Sequence, residues 1–171
     1  MLPKLIITDI DGVWTDGGMY YSDRNIELKK FNTYDSAGVL LCHALNIPVC
    51  IITGENSKIV EKRAKKLKVD YCFIGIKNKL KVATELAFQL KINLKECAYI
   101  GDDLNDIELL NSVGFAGVVN SAPSYIKKFA HFVTKKNGGE GAFREFVEHI
   151  LVINECFDLA FKNLQMTITN E

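Results

Sequence analysis

Three features are scarce in this sequence: net charge, long hydrophobic runs and paired cysteines. Lysine plus arginine and aspartate plus glutamate each total 21, so the formal net charge is zero. Proteins that coat the polyanionic nucleic-acid backbone carry an excess of positive charge, which this chain lacks. We therefore expect no nucleic-acid partner. No apolar stretch approaches the roughly 18 residues of a membrane span, and the longest, such as residues 47–52, have the length of a strand. We therefore expect no membrane partner either.

Cysteine and histidine are too scattered for most disulfide and metal sites. The five cysteines are an odd number, lie mostly in apolar segments and form no C-x-x-C pair, so we interpret them as buried, reduced thiols. The three histidines are equally dispersed, which gives zinc little support. The first residues lack the basic, apolar and small-residue blocks of a signal peptide, so we expect a cytoplasmic protein.

What the sequence does have is enough apolar material for a core. Hydrophobic residues make up 48% and charged residues 25% of 171 residues, as in a globular protein. This length predicts a single domain, residues 1–171. Short apolar runs alternate with segments of helical period, which is typical of a parallel sheet with crossover helices. The predicted fold class is α/β, with a Rossmann-like parallel sheet and helices on both faces.

The predicted elements follow from this alternation. Strands are predicted at residues 5–10, 48–52, 70–74, 97–100, 115–119 and 131–134. Helices are predicted at residues 59–67, 80–90, 105–111 and 123–130. Residues 17–31 break the alternation and predict a β-hairpin flap after strand one, with a turn near residues 22–25. The C-terminal segment 152–171 fits either a packed helix or a trailing tail, and we expect residues 166–171 to fray.

Polar side chains stand at the ends of several predicted strands. Asp9 and Asp11 follow strand one, Thr53 follows strand two and Asp102 follows strand four, while Lys79 opens the helix after strand three. Ligands of an open parallel sheet gather beyond the carboxyl ends of its strands. Acids crowded at one edge are costly without a cation, and hard oxygen ligands suit Mg²⁺. The sequence therefore predicts a magnesium site at this edge.

Asp9, Asp11 and Asp102 can each take a different role in phosphoryl transfer. Ionised Asp9 can attack phosphorus and form an aspartyl phosphate, which splits one hard displacement into two easier ones. Asp11 can protonate the leaving alkoxide and then deprotonate the hydrolytic water. Asp9, the backbone carbonyl of Asp11 and Asp102 are the expected Mg²⁺ ligands.

The remaining polar residues fit supporting roles. The Thr53 hydroxyl and Lys79 are expected to hold phosphoryl oxygens. Asp103 and Asp106 are expected to anchor Lys79 or metal-bound water. Each motif alone has a plainer interpretation, because D-x-D-G is ordinary turn composition and G-D-D-x-x-D can cap a helix. Their joint occurrence at the same end of successive strands favours catalysis.

The motifs resemble those of a known enzyme superfamily. D-I-D-G-V at 9–13, I-T-G at 52–54, Lys79 and G-D-D-L-N-D at 101–106 are similar to the four motifs of the haloacid dehalogenase superfamily. An aspartate two residues after the nucleophile is a feature of its phosphatases, so the resemblance implies a phosphatase. Asn78 and residues 138–145 further resemble the branch that contains 3-deoxy-D-manno-octulosonate 8-phosphate phosphatase. The resemblance covers residues 4–150.

The resemblance also implies an assembly. Larger superfamily members insert a cap domain after motif one or between motifs two and three, and both intervals are too short for one here. In the branch that the chain resembles, hairpins of four subunits form a tetramer and neighbours complete each active site, which implies a homotetramer with shared sites. Exposed Tyr20 and Tyr21 on the hairpin agree with this. The alternative is a solvent-facing flap on a monomer.

The resemblance further implies a set of contacts with a sugar phosphate. These residues are Asn32, Thr33, Tyr34, Asp35, Ser36, Leu40, Gly54, Glu55, Arg63 and Lys66. Arg63 can pair with a substrate carboxylate as a planar fork, or it can be a surface charge. The glycines of residues 138–144 predict a flexible segment that reaches over the sugar, either in the same subunit or in an adjacent one.

One residue departs from the octulosonate phosphatases. They usually carry arginine after the T-G pair, where this chain has Glu55. Members with glutamate there resemble phosphatases of nine-carbon keto-deoxy acids, the 9-phosphates of 2-keto-3-deoxynononate or N-acetylneuraminate. We therefore expect a nine-carbon substrate, with the eight-carbon acid as the alternative and with Lys66 as a partner of Glu55.

Other protein classes fit the sequence less well. A response-regulator receiver also combines an aspartate nucleophile with Mg²⁺, but its phosphorylated aspartate follows strand three, where this chain has Phe73, Ile74 and Gly75. No P-loop sequence G-x-x-x-x-G-K-[ST] occurs. A regulatory or scaffolding pseudophosphatase stays open, although every motif residue is intact.

Overall fold

The computed structural model describes residues 1–24 and 26–169. Within these residues the strands are β1 (Leu5–Thr8), β2 (Tyr20–Tyr21), β3 (Glu27–Leu28), β4 (Val49–Ile52), β5 (Tyr71–Phe73), β6 (Cys97–Gly101), β7 (Phe115–Val118) and β8 (Phe132–Val133). The α-helices are α1 (Asp35–His43), α2 (Lys58–Leu67), α3 (Lys79–Gln89), α4 (Ile107–Ser112), α5 (Ser124–Lys127), α6 (Ala142–Ile153) and α7 (Phe157–Thr169). Two short 3₁₀ helices span Leu94–Glu96 and Leu104–Asp106.

A six-stranded parallel sheet forms the centre of the fold. Its strand order is β5-β4-β1-β6-β7-β8, while β2 and β3 pair separately as an antiparallel hairpin. Strands β4 and β5 lie on one side of β1, and the later strands β6, β7 and β8 lie on its other side. The direction in which strands are added therefore reverses at β1. Thr8 pairs with Ile51 of β4 and with Ile100 of β6, so these three strands end together. Residues that follow them meet where ligands bind in such sheets.

Apolar burial explains why these segments form a sheet covered by helices. Every residue of β1 and β4 is buried, as expected for strands covered on both faces. Helix α2 buries Val60 and Ala64 and exposes lysines. Helices α1, α6 and α7 contact one another, and α3 contacts α4. Trp14 stacks on Phe143 of α6 with ring centroids 4.8 Å apart, which ties the loop after β1 to the helical layer. The predicted α/β fold is confirmed.

In the described part of the chain, the hairpin and α1 lie between β1 and β4, and α2 and β5 lie between β4 and α3. Neither interval contains a cap domain among the described residues, as predicted. No helix among the residues described here is long and apolar enough to cross a membrane.

Several predicted elements have different bounds in the structure. Helix α1 was not predicted, because it buries Val39, Leu41 and Cys42 and exposes Leu40, so its apolar run lacks a clear helical period. The hairpin strands have two residues each, and Asn25 of the predicted turn lies outside the described residues. The helices predicted at 105–111 and 123–130 are the 3₁₀ turn with α4, and the shorter α5.

The C-terminal segment is a helix and not a tail. Helix α6 continues to Ile153, and α7 contacts both α1 and α6. The Asn163 side-chain amide donates a hydrogen bond to the Ala44 carbonyl at 2.9 Å. The fraying expected from residue 166 is therefore wrong as far as Thr169, and residues 170–171 lie outside the described part of the chain.

Candidate active site

Strand β1 places Asp9 at the edge of the sheet. The Asp9 amide donates to the Ile100 carbonyl at 3.0 Å, which extends the ladder by one residue, and the side chain is 6% exposed. Asp9 Oδ2 lies 2.7 Å from Lys79 Nζ, whereas Oδ1 is buried and has no hydrogen-bond partner among the described residues. Burial raises the pKa of Asp9 to about 7, although Lys79 acts in the opposite direction. One oxygen is thus fixed and the other is available.

Lys79 is a buried cation between two carboxylates. It begins α3, where the side chain of Asn78 caps the helix by accepting a hydrogen bond from the Lys81 amide. Its Nζ lies 2.7 Å from Asp9 Oδ2 and 2.6 Å from Asp106 Oδ1. Burial lowers the pKa of Lys79, but the two carboxylates outweigh burial and raise it above its ordinary value. Lys79 therefore stays charged.

Asp106 organises the loop that follows β6. Its Oδ1 accepts the Tyr99 hydroxyl at 2.5 Å, and its Oδ2 accepts the amides of Asp102 at 2.8 Å and Asp103 at 3.0 Å. A Cβ at Gly101 would collide with Asp106 Oδ2, so only glycine allows this close approach. Both oxygens of Asp106 are engaged by hydrogen-bond donors.

The carboxylates of Asp9 and Asp102 are the candidate side-chain ligands of a cation. Oxygens of Asp9, Asp102 and Asp106 lie within 4.8 Å of one another, and Oδ1 of Asp102, like that of Asp9, is buried without a hydrogen-bond partner in the described part of the chain. Burial, then Asp9 and Asp106, raises the pKa of Asp102 to about 8. Gly12 has φ of +86°, and a Cβ there would collide with the Asp102 carboxylate. Unpaired, hard oxygens held this close fit Mg²⁺, with the Asp11 carbonyl as the predicted third ligand.

From the raised pKa values of Asp9 and Asp102 we predict that the effect of Mg²⁺ on the melting temperature depends on pH. The folded-state pKa values of Asp9 and Asp102 exceed the ordinary 3.8, so between pH about 4 and 8 the metal-free fold binds protons that the unfolded chain has lost. Its stability therefore falls as pH rises through that window. Because Mg²⁺ displaces these protons, we expect it to raise the melting temperature more at pH 8 than at pH 6. Thermal unfolding with EDTA or with Mg²⁺ measures this, and an equal increase at both pH values would contradict the assignment.

An open cleft of about 150 Å³ lies above these acids. It is lined by Asp9, Asp11, Thr53, Gly54, Glu55, Asp102, Asp103 and Asn105. Every one of these residues except Asn105 was predicted from the sequence to belong to the site. Lys79 and Asp106 lie beneath the cleft, where both are buried. The predicted phosphoryl-transfer residues therefore converge on one site.

Most of the predicted sugar contacts lie outside this cleft in the isolated chain. Asp35 has no exposed surface, and its Oδ1 accepts the Arg144 amide at 3.2 Å. Burial raises the pKa of Asp35 to about 7. The Asn32 side-chain amide donates to the Gly139 carbonyl at 3.0 Å, and an Arg63 guanidinium nitrogen donates to the Asn32 carbonyl at 3.3 Å. These side chains hold neighbouring segments of this chain together.

The other members of the predicted contact set are more exposed. They are Thr33, Tyr34, Ser36 and Leu40, which lie before or within α1, and Lys66 of α2. Lys66 forms no ion pair with Glu55 among the described residues, contrary to expectation, and it is exposed to solvent. None of residues 138–144 lines this cleft in the isolated chain, and the Gly139 amide donates to the Val13 carbonyl at 3.0 Å.

Sequence reasoning missed three residues of the site. Asn105 belongs to G-D-D-L-N-D and could have been found from that motif. No sequence pattern marks the other two residues, because Tyr99 lies within a predicted strand and Lys29 is one of many charged residues. Lys29 Nζ lies 2.5 Å from Asp11 Oδ1, a contact between hairpin and site that no sequence signal shows.

Comparisons with known proteins agree with this geometry. Residues 75–146 match the family model of the haloacid dehalogenase-like hydrolases. A 3-deoxy-D-manno-octulosonate 8-phosphate phosphatase from Yersinia pestis is 38% identical over 152 residues, which are 89% of this chain and 81% of the relative. An enzyme of the same name from Escherichia coli strain K12 is 36% identical over 92% of this chain and 84% of its own length.

Solved structures show the same similarity. The 3-deoxy-D-manno-octulosonate 8-phosphate phosphatase from Moraxella catarrhalis, in complex with a magnesium ion, a phosphate ion and a KDO molecule, has a TM-score of 0.88 and 36% identity, covering 91% of this chain and 90% of that one. The cobalt-bound phosphatase from Haemophilus influenzae has a TM-score of 0.86 and 32% identity, covering 91% of each chain. This chain therefore belongs to the haloacid dehalogenase-like hydrolases, in their capless branch, and is a phosphatase.

Proposed function

We propose that the protein is a Mg²⁺-dependent phosphomonoester hydrolase that acts on 3-deoxy-D-manno-octulosonate 8-phosphate through an aspartyl phosphate on Asp9. The observation that carries the reaction is the pairing of Asp9 with buried Lys79, which leaves Asp9 Oδ1 unpaired beside the cleft. The observation that supports the substrate is the identity of 36–38% with phosphatases of that name over about nine tenths of the chain.

The first chemical step follows from the arrangement of Asp9 and Asp11. Asp9 Oδ1 attacks phosphorus while Lys79 holds Oδ2, so the P–O bond to the sugar breaks as the bond to Asp9 forms. A proton passes from Asp11 to the departing alkoxide. When held by Asp102, the Asp11 carbonyl and the Asp9 carboxylate, with Oδ1 of Asp9 left for the attack, Mg²⁺ would supply positive charge that allows one anion to approach another.

The second step returns the enzyme to its starting state. Asp11 removes a proton from water, the water oxygen bonds to phosphorus, and the bond between Asp9 and phosphorus breaks. Thr53, which directly follows β4 and lines the cleft, holds a phosphoryl oxygen in both steps of this proposal. A non-catalytic pseudophosphatase would not need Asp9, Asp11 and Thr53 together in one cleft.

The nine-carbon substrate is the second candidate, because Glu55 lines the cleft and is exposed there. The relatives support the eight-carbon acid better than the nine-carbon acid that Glu55 led us to expect.

Substrate preference tests this choice. With Mg²⁺ present, we expect kcat/KM from phosphate release to be at least about tenfold higher for the eight-carbon 8-phosphate than for the nine-carbon 9-phosphates. Glu55→Gln should change that ratio if Glu55 selects the substrate, whereas Glu61→Gln, on the exposed side of α2, is the matched control. Preference for a nine-carbon acid would favour the second candidate, and no hydrolysis of any of these esters would refute both.

We also propose that the protein assembles as a homotetramer through the hairpin. Tyr21 is 71% exposed and Leu28 61% exposed on this hairpin in the isolated chain. Apolar side chains this exposed favour a partner surface over a solvent-facing flap. The open cleft and the distance of the predicted sugar contacts from it agree with a site that neighbouring subunits complete. The cytoplasmic location stays a prediction from the sequence.

A further inference from the structure

The hairpin contributes one buried charge to an otherwise exposed segment. Tyr20, Tyr21 and Leu28 are exposed, but the Lys29 side chain, which directly follows β3, is only 2% exposed. Buried lysines are rare unless they are paired. Lys29 Nζ lies 2.5 Å from Asp11 Oδ1 and 3.5 Å from Glu27 Oε1. Lys29 is therefore directed away from solvent and toward the cleft acid.

The two oxygens of Asp11 have different surroundings. Oδ1 accepts from Lys29 and, at 3.4 Å, from the Thr15 hydroxyl. Thr15 is itself held, because its hydroxyl oxygen accepts the amides of Gly12 at 3.3 Å and Gly17 at 3.2 Å. Oδ2 of Asp11 is buried and has no hydrogen-bond partner within residues 1–24 and 26–169. One oxygen is thus fixed by the hairpin and the loop, and the other has no partner among these residues.

We propose that Lys29 is a positioning residue, which orients the Asp11 carboxyl group so that Oδ2 faces the leaving oxygen of the substrate. This inference rests on the proposed function, in which Asp11 transfers the proton. When the ester P–O bond breaks and the bond to Asp9 forms, the proton leaves Asp11 Oδ2 for the alkoxide oxygen. The hydrogen bond from Lys29 to Oδ1 remains intact in this transfer. A charge-assisted hydrogen bond is strong enough to fix one orientation.

This role couples the hairpin to proton transfer. Lys29 connects the hairpin to Asp11, so a displacement of the hairpin displaces this partner of Oδ1. The position of the flap then determines whether Oδ2 is aligned with the leaving group. Misalignment by about 1 Å can cost about 100-fold in rate.

The leaving group of the substrate separates positioning from a merely structural role. An alkyl phosphate needs a proton on its leaving oxygen, whereas p-nitrophenyl phosphate releases a phenolate that does not. For Lys29→Met we expect kcat/KM to fall about 100-fold on the sugar phosphate and less than about threefold on p-nitrophenyl phosphate. Lys30→Met, which changes the exposed neighbouring lysine, should alter neither value. Lys29→Arg retains the cation and should recover part of the loss.

The same experiment contains the results that would overturn the inference. Equal losses on both substrates, or no loss on the sugar phosphate, would show that Lys29 does not position Asp11. In an Asp11→Asn background, Lys29→Met should cause no further loss on the sugar phosphate, and an additive loss would also refute the inference. If Lys29→Met does not fold, Lys29→Gln replaces it in both comparisons.

Failure of the proposed function gives a different result. Wild-type protein that does not hydrolyse the 8-phosphate would refute the substrate assignment alone. The comparison of Lys29 variants would then use β-glycerol phosphate as the alkyl ester, with the same expected ratio and the same contradicting results.

Discussion

Replacement of Asp9 by asparagine should abolish turnover of every phosphate ester, with a loss in kcat of about 10⁴-fold or more. An amide cannot displace an alkoxide from phosphorus, and Lys79 and the cleft cannot substitute for the nucleophile. The fold should survive, because the neutral amide no longer carries the cost of burying a carboxylate and Lys79 keeps Asp106 as its ionic partner. Phosphate release and thermal unfolding measure the two effects separately.

A distant carboxylate provides the control for this loss. Asp158→Asn removes an exposed acid of α7 that does not line the cleft, and it should leave turnover unchanged. Asp9→Asn protein that retains activity within about tenfold of wild type would remove Asp9 as the nucleophile. Asp9→Asn protein that fails to fold would show that the Asp9 carboxylate is needed for stability, which would contradict the expected survival of the fold.

Replacement of Lys79 by methionine should reduce both activity and stability. It leaves Asp9 and Asp106 buried side by side without a cation, and breaking a buried ion pair costs roughly 3–5 kcal/mol in the free energy of unfolding. Asp9 Oδ2 also loses the contact that fixes it, so we expect kcat to fall about 10³-fold. Urea denaturation and phosphate release are the measurements.

The stability loss should depend on pH with a defined sign. Without Lys79 the pKa of buried Asp9 rises further above its ordinary value, so the folded variant binds a proton that the unfolded chain does not. The variant should therefore lose stability as pH rises from about 5 to 8. Lys81→Met, at a lysine whose side chain is 72% exposed on the same helix, is the matched control and should behave as wild type. A pH-independent loss would contradict the proposed burial of the two carboxylates.

The sequence predicted the sheet and the acids at its edge because both follow from local patterns. Strands covered on both faces are continuous apolar runs. Asp9, Thr53 and Asp102 directly follow three such strands, β1, β4 and β6. Once the runs are parallel neighbours, the register of β1 with β4 and β6 places these residues together without further information.

Contacts between distant segments were not predictable in this way. Asp35 lies in a polar segment that resembles a sugar contact, yet it is buried because residues 143–144 of α6 close over the start of α1. The pairing of Lys29 with Asp11 depends on how the hairpin folds back over the loop. Such contacts depend on tertiary packing, which hydrophobic periodicity does not encode.

A crystal structure of the protein with Mg²⁺ and beryllium fluoride tests the central claim most directly, because beryllium fluoride mimics a phosphoryl group on a carboxylate. We predict beryllium bonded to Asp9 Oδ1, the unpaired oxygen, with Lys79 still on Oδ2. Beryllium on Asp11, Asp102 or another carboxylate, with Asp9 left unmodified at saturating beryllium fluoride, would contradict the account.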